Sequence, residues 1–231
     1  MAAQQEKVRG VVDIVFLIDA TGSMSECISA LKENVSQFIN YLTTKDANNS
    51  SPVRDWRAKV VGYRDFQLDA NPWVDKSFVR DVDQLKTQLA DLKAEGGGDE
   101  PESLLDGLYR LSNMGQTNKG ENENPAKWRS LGSASRIVVV FTDASYKPTM
   151  HIPEAKGGTV NDVVNAMMSN RIILSLFAPN KPGYDELSAI DKCEWTETPD
   201  LKALSMDSGS FQKTLIALAK SVSCSAATPE I

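Results

Sequence analysis

The chain has 231 residues, of which 41% are hydrophobic and 24% charged, a balance typical of one sizeable globular domain. Its net charge of -6 argues against a nucleic-acid surface, because such surfaces need clustered lysine and arginine. The single histidine, His151, excludes a zinc site built from several imidazoles.

Hydrophobic patterning predicts strands that alternate with helices. Short apolar runs rich in β-branched residues are typical of buried parallel strands, and apolar residues spaced three to four apart are typical of amphipathic helices. The predicted strands are 11–18, 57–63, 73–80 (an antiparallel edge), 136–141, 171–177 and 201–205. The predicted helices are 24–42, 82–94, 101–111, 160–168, 184–191 and 211–222. This alternation predicts a three-layer, doubly wound α/β fold with a mostly parallel six-stranded sheet and helices on both faces.

The domain organisation that we expect is a single domain over 11–224, with short tails at 1–10 and 225–231. Residues 115–134 are polar and irregular in pattern, and we interpret them as a surface insertion within the domain. We expect Trp128 to pin this insertion to the domain.

The cellular location follows from what the sequence lacks. The polar start of the chain has no signal-peptide pattern, and no apolar stretch approaches the roughly 20 residues that span a bilayer. The three scattered cysteines are typical of a reducing compartment. We therefore expect a cytoplasmic protein with reduced thiols and no membrane span.

Acidic and hydroxyl side chains follow two of the apolar strands directly. The residues concerned are Asp19, Thr21 and Ser23 after the first strand, Asp99 in a glycine-rich loop, and Asp143 after the central strand. The carboxyl ends of parallel strands meet at one edge of a sheet, and ligands bind there. We therefore expect these side chains to lie close together.

The chemistry of this set is that of a hard-cation site. All its donors are oxygens, and magnesium prefers oxygen ligands in octahedral geometry. Carboxylates brought together would also repel one another and raise each other's pKa values unless a cation lay between them. The sequence therefore predicts a Mg²⁺ site, with Mn²⁺ or Ca²⁺ as alternatives.

Helix capping is the other explanation for these residues taken singly. Ser23 with Glu26 three residues later fits a capping box. Asp99 with Pro101 just inside a helix fits a second cap, in which Glu102 takes the capping position rather than a ligand position. Capping does not explain why acid and hydroxyl groups follow two separate strands.

A charged pair, Arg64 and Asp65, follows the second predicted strand. This strand ends at the same edge of the predicted sheet, so both residues are within reach of the site. They form either an ion pair beneath the site or an ordinary surface pair at a strand end.

The ordered set resembles the von Willebrand factor A domain and its metal-ion-dependent adhesion site. That family carries Asp-x-Ser-x-Ser after the first strand, a threonine or aspartate from a second loop, and an aspartate after the central strand. Here the pattern reads "DATGS" from Asp19 to Ser23, "GGGDEPES" around Asp99 and "FTDAS" around Asp143. The longer pattern "DATGSM…GYRDF…GGGDEPES…W…TDAS" is similar to the intracellular A domains found beside alpha-kinases. The resemblance extends over about 11–222.

The resemblance implies a Rossmann-like fold and a function. The implied metal ligands are Asp19, Thr21, Ser23, Asp99 and Asp143. In the family, an acidic residue of a partner protein fills an open coordination position on the metal. The resemblance therefore implies a non-catalytic, divalent-metal-dependent protein–protein interaction module. Kinase, phosphatase and AAA-type ATPase components are the candidate partners.

Two positions depart from the family pattern. Thr21 replaces the usual serine and keeps the hydroxyl group. Asp99 stands where many members have threonine, and its extra negative charge would make the metal less electrophilic. We expect this charge to weaken the capture of a partner's carboxylate.

Two other functions stay open at this point. A Mg²⁺-dependent phosphohydrolase of the haloacid-dehalogenase type also places an aspartate after the first strand. That mechanism needs a second acid two residues later, where this chain has Thr21, and a downstream lysine, for which Lys147 is the candidate. A metal-free scaffold domain, whose loops only cap helices, is the second alternative.

Overall fold

The structure is a computed structural model that describes residues 10–44, 53–98 and 100–227, with the side chains of 225–227 left out. Residues 1–9 and 228–231 of the predicted tails therefore lie outside the described residues, whereas 225–227 form the end of a helix. Asp99, one of the predicted metal ligands, also lies outside them.

A six-stranded sheet forms the centre of the domain, in the order β3-β2-β1-β4-β5-β6. The strands are β1 (Val11–Asp19), β2 (Asp55–Tyr63), β3 (Trp73–Asp75), β4 (Ser135–Phe141), β5 (Ile172–Ala178) and β6 (Glu194–Glu197). Neighbouring strands are parallel except β2 and β3, which are antiparallel. This confirms the predicted α/β class with a mostly parallel six-stranded sheet and an antiparallel edge strand.

Helices cover both faces of the sheet. They are α1 (Ser25–Thr43), α2 (Val82–Asp91), α3 (Leu104–Ser112), α4 (Val160–Ser169), α5 (Tyr184–Leu187), α6 (Leu201–Met206) and α7 (Ser208–Ala227). Helices α1, α2, α6 and α7 pack on one face, and α3, α4 and α5 pack on the other. None of the described helices is long and apolar enough to cross a membrane.

Strand β1 supplies both layers of the core. Its side chains alternate between the two faces, so Phe16 and Ile18 join the layer under α1, whereas Val15 and Leu17 join the layer under α3. Burying each such side chain contributes roughly 1.5–3 kcal/mol. Because β1 is covered on both faces, it is buried from Val12 to its last residue, Asp19.

The prediction of a strand at 201–205 was wrong, because this segment is helix α6. The carboxylate of Asp200 accepts a hydrogen bond from the backbone N–H of Ala203 at 2.8 Å and thereby caps the helix. The sixth strand is instead β6, which pairs in parallel with β5. Its sequence, Glu-Trp-Thr-Glu, has no apolar run for a pattern search to detect.

Buried contacts at the amino ends of the strands hold the irregular segment 115–134 against the sheet. Trp128 is fully buried, as expected, and its indole N–H donates to the carbonyl of Leu111 at 2.8 Å. The buried carboxylate of Asp13 accepts two hydrogen bonds from Arg57 and one from the backbone N–H of Arg129. These contacts lie at the amino ends of the strands, away from the edge where Asp19 stands.

Candidate metal centre

The first loop of the candidate metal site follows β1. Asp19 is fully buried, and its Oδ1 accepts hydrogen bonds from Thr21, from the backbone N–H at 3.0 Å and from Oγ1 at 2.7 Å. Thr21 Oγ1 lies 3.5 Å from Ser23 Oγ, and Ser23 is exposed. The structure therefore brings these three predicted ligands together in a line from the interior to the surface.

The second loop follows β4, the neighbour of β1 in the sheet. Thr142 Oγ1 donates to Asp19 Oδ2 at 2.8 Å and accepts from the backbone N–H of Ala144 at 3.2 Å. Asp143 is half-buried, and its charge reaches Asp19. Thr142, which is outside the predicted ligand set, thus fixes the second carboxylate oxygen of Asp19.

The carboxyl of Asp19 lies in an environment that disfavours its charge. Burial raises its pKa to about 6, against hydrogen bonds from Thr21 and Thr142 that lower it, and the charge of Asp143 raises it further. A divalent cation beside this carboxyl would favour the ionised form. The arrangement is therefore one that a bound cation would stabilise.

The capping explanation of Ser23 is wrong. Helix α1 begins at Ser25, its N-cap residue is Met24, and no side chain makes a capping hydrogen bond there. A short 3₁₀ turn (Gly22–Met24) precedes α1, and its N-cap residue, Thr21, makes no side-chain cap bond either. The hydroxyl of Thr21 instead donates to the Asp19 carboxylate, and the hydroxyl of Ser23 lies next to that of Thr21.

Glu102 belongs to the same site, and the interpretation of it as a helix cap was wrong. Helix α3 begins at Leu104, with Ser103 as its N-cap residue, so Glu102 lies outside the helix. Its backbone is instead fastened to the loop after β4: its N–H donates to the carbonyl of Ser145, and its carbonyl accepts from the N–H of Lys147. The apolar pattern of α3, which starts only at Leu104, is the sequence signal that could have shown this.

The side chain of Glu102 is 4% exposed, and its Oε2 has no hydrogen-bond partner in the described part of the chain. Burial raises its pKa to about 8, and the charges of Asp19, Asp65 and Asp69 raise it as well, whereas Lys147 lowers it. A buried polar atom without a partner is costly and rare in folded proteins. Glu102 therefore has a buried carboxyl oxygen for which the described residues supply no hydrogen-bond donor.

A glycine loop (residues 96–98) separates Thr21 from Glu102. Gly97 has a φ of 93°, and a Cβ at this position would lie 2.5 Å from Thr21 Cγ2 and 2.8 Å from Glu102 Oε1. Only glycine combines this backbone conformation with so close an approach. The loop thus lets the Glu102 carboxyl and the Thr21 side chain face each other across a single residue.

Arg64 and Asp65 do not pair in either of the two predicted ways. The guanidinium of Arg64 donates to three backbone carbonyls, those of Ala20, Asn71 and Lys93, and so fastens the loops around the site. Asp65 pairs with Lys147, whose Nζ lies 2.6 Å and 2.7 Å from its two carboxylate oxygens.

The fit of this site to a metal ion rests on its donors. Among the described residues, no group of three or more histidine, cysteine, aspartate or glutamate side chains is arranged to hold a metal ion. The predicted ligands in this part of the chain are two carboxylates, Asp19 and Asp143, and two hydroxyls, Thr21 and Ser23. With the unpartnered oxygen of Glu102, every candidate donor is an oxygen, which fits a hard cation such as Mg²⁺.

Comparison with known proteins supports the same family. Residues 13–119 match a family model described as "von Willebrand factor A domain". The alpha-protein kinase vwkA of Dictyostelium discoideum is 26% identical over 133 residues, which are 58% of this chain and 18% of the kinase. The chain thus spans less than a fifth of that curated relative.

Two solved structures share the fold. The SpRpn10 VWA domain has a TM-score of 0.51 and 14% identity, over 84% of this chain and 93% of that one. Proximal thread matrix protein 1 from the mussel byssus, solved with a zinc-occupied MIDAS motif, has a TM-score of 0.55 and 15% identity, over 92% of this chain and 49% of that one. At these identities, the likeness shows the fold alone.

Proposed function

From the premise that this chain contains a von Willebrand factor A domain, we propose that it is a non-catalytic module that binds partner proteins through a divalent cation. The observation that carries the proposal is the buried carboxyl of Asp19. Hydroxyls from two loops hold it at a strand end, and its pKa is raised to about 6. A carboxyl held this way gains from a cation that is coordinated beside it.

The ligands that we propose are Asp19, Thr21, Ser23, Asp99 and Asp143, with Mg²⁺ as the cation and Mn²⁺ or Ca²⁺ as alternatives. A cation held by these residues would act as a Lewis acid toward one further oxygen ligand from a partner. The exposure of Ser23 supports a site that is open to the surface on one side. The mussel protein, solved with zinc in its MIDAS motif, supports divalent binding in this fold.

Glu102 holds its carboxyl beside Thr21, on the buried side of the site. Its unpartnered oxygen supports a role either as a ligand or as the acceptor of a hydrogen bond from a metal-bound water. In both cases it adds negative charge next to the cation, as Asp99 does in the proposed set. We therefore expect a site that holds its cation firmly and captures a partner's carboxylate weakly.

The partner that this site would take presents an acidic side chain. Leu68, which is 67% exposed, lies beside the glycine loop, close to where a Cβ on Gly98 would stand. An apolar residue next to the acidic residue of the partner would cover the exposed Leu68 side chain.

The kinase relative supports a partner in a kinase assembly, with phosphatase and AAA-type ATPase components as other candidates. We also propose a cytoplasmic location, on the basis of the sparse cysteines.

Two features argue against the phosphohydrolase alternative. Thr21 stands where that mechanism needs a general acid. The ammonium of Lys147, its candidate lysine, is engaged by Asp65 and by Gln67 Oε1 at 2.7 Å. The metal-free scaffold alternative does not explain why hydroxyls from two loops hold the carboxyl of Asp19, nor the buried Glu102 oxygen for which the described residues supply no donor.

The test of the proposed function uses pairs of peptides that differ only by glutamate or glutamine, with and without an adjacent leucine. Binding would be followed by fluorescence anisotropy in Mg²⁺ and in EDTA. We expect binding only of the glutamate peptides, only in Mg²⁺, and loss of it in Asp19→Asn but not in Asp106→Asn, a change at another buried aspartate. Equal binding in EDTA would sink the proposal, and so would Asp19-dependent release of phosphate from p-nitrophenyl phosphate.

A further inference from the structure

A surface cleft of about 480 Å³ lies where β5 ends, beside β6. Three of its lining residues belong to the loop after β5, one to α5 and one to β6: Asn180, Lys181, Pro182, Asp185 and Trp195. Because β5 runs parallel to β4 and β1, the cleft lies at the edge of the sheet that also carries the candidate metal site. Ligands of open α/β sheets bind at this edge.

The indole ring of Trp195 forms a fixed wall of the cleft. The ring packs against the buried ring of Tyr184, with the two centroids 5.9 Å apart, and its N–H donates to the carbonyl of Ala178 at 3.2 Å. Trp195 is nevertheless only half-buried, in a strand whose other residues are exposed and polar. An indole that is held in place and partly exposed is a surface on which a cation can stack.

The uncompensated charge of the cleft is negative. Lys181 Nζ pairs with the carboxylate of Glu100, which offsets its positive charge. The carboxylate of Asp185 is exposed, and it has no ion pair and no side-chain hydrogen bond within the part of the chain that the structure describes. An indole face next to an unpaired carboxylate suits a guanidinium, which stacks on aromatic rings and forms two parallel hydrogen bonds with a carboxylate.

The side chain of Glu100 connects the cleft to the candidate metal site. Its Oε2 accepts a hydrogen bond from Ser145 Oγ at 3.1 Å, and its Oε1 pairs with Lys181 in the wall of the cleft. Ser145 lies on the loop after β4, two residues beyond Asp143. Since one side chain spans the distance from this loop to the cleft, a single segment of a partner protein is long enough to contact both.

We propose that this cleft binds an arginine side chain of a partner protein, with the guanidinium stacked on Trp195 and paired with Asp185. The partner is then a segment that presents a carboxylate to the candidate metal site and an arginine to the cleft. The net charge of -6 favours the approach of a basic side chain. The role of the partner's carboxylate rests on the proposed function, whereas that of its arginine does not, because no proposed metal ligand lines the cleft.

The first experiment titrates the ¹⁵N-labelled protein in EDTA with N-acetyl-arginine amide and follows the indole N–H of Trp195 by NMR. The lysine amide has the charge without the planar group, and the citrulline amide has a planar group without the charge. We expect a concentration-dependent shift with arginine, a weaker one with lysine and none with citrulline. Asp185→Asn should weaken arginine binding about fivefold. The matched control is Asp191→Asn, at an exposed aspartate that does not line the cleft.

The second experiment places arginine at two to six residues from the glutamate in the peptides that test the proposed function. In Mg²⁺, the best of these peptides should bind about tenfold more tightly than its citrulline counterpart, because the two contacts act together. This advantage should be lost in Asp185→Asn and kept in Asp191→Asn.

The outcomes separate the cleft from the proposed function. If arginine gives no shift in EDTA, or the same shift as citrulline, the arginine site is overturned and the proposed function still stands. The same holds if Asp185→Asn binds arginine as tightly as the wild type. An arginine-specific shift in a protein whose peptide binding is indifferent to Mg²⁺ supports the arginine site and overturns the proposed function.

Discussion

Replacing Glu102 by glutamine should stabilise the metal-free protein. Glutamate in the unfolded chain ionises near its ordinary pKa of 4.5, whereas burial and the neighbouring carboxylates raise the pKa of Glu102 in the folded chain to about 8. Between these two values the folded chain binds more protons than the unfolded chain. The free energy of unfolding therefore falls as the pH rises through this range.

The size of the effect follows from the pKa shift. Each pKa unit corresponds to about 1.4 kcal/mol, so the folded state loses roughly 3 kcal/mol through this carboxyl between pH 4.5 and pH 7. Glutamine keeps the shape of the side chain and never carries the charge. In EDTA at pH 7.5 we expect Glu102→Gln to be more stable than the wild type by about 3 kcal/mol, and at pH 4.5 by almost nothing.

The assay is urea unfolding in EDTA across pH 4.5–8, repeated in saturating Mg²⁺. Mg²⁺ should stabilise the wild type more than Glu102→Gln. The difference in free energy of unfolding between the two proteins should therefore shrink or change sign. Glu33→Gln, at an exposed position of α1, is the matched control and should stay level with the wild type. Equal stability of Glu102→Gln and the wild type at pH 7.5 would refute the reasoning. So would a loss of stability that persists at pH 4.5.

Other changes probe the site and the fold. Thr142→Val removes a hydrogen bond to Asp19 and should weaken Mg²⁺ binding by about tenfold in calorimetry. Mg²⁺ affinity of the wild type should also fall below about pH 6, because protons compete for Asp19. Gly97→Ala, with its positive φ and close contacts, should lower both Mg²⁺ affinity and the urea midpoint. Trp128→Ala should cost about 3–5 kcal/mol in urea unfolding, and unchanged stability would contradict its burial.

The part of the fold that patterning predicts well is the buried part. Strands β1 and β4 are covered on both faces, so their sequences are continuous apolar runs that few other structures would allow. Strand β6, at the edge of the sheet, could not be predicted in this way, because it is exposed and polar and has no hydrophobic pattern. A short helix beside it, α6, has an apolar composition that reads equally well as a strand.

Some residues of the candidate site can likewise be predicted from the sequence, and others cannot. Asp19, Thr21 and Ser23 are close in sequence to a well-predicted strand, so their grouping follows from local geometry. The roles of Glu102 and Lys147 depend on contacts between loops that are distant in sequence, such as the ion pair of Lys147 with Asp65. No periodicity encodes such contacts. The sequence therefore predicts which edge of the sheet carries the site, and the structure adds the charges that surround it.

The most direct test of a divalent-cation site at Asp19 is calorimetric titration of the EDTA-stripped protein with Mg²⁺, alongside Asp19→Asn. We predict saturable binding and a Mg²⁺-dependent rise in melting temperature for the wild type, both lost in the variant while its fold is kept. A wild-type protein that gives no heat of binding and the same melting temperature in Mg²⁺ and in EDTA would contradict the proposed site.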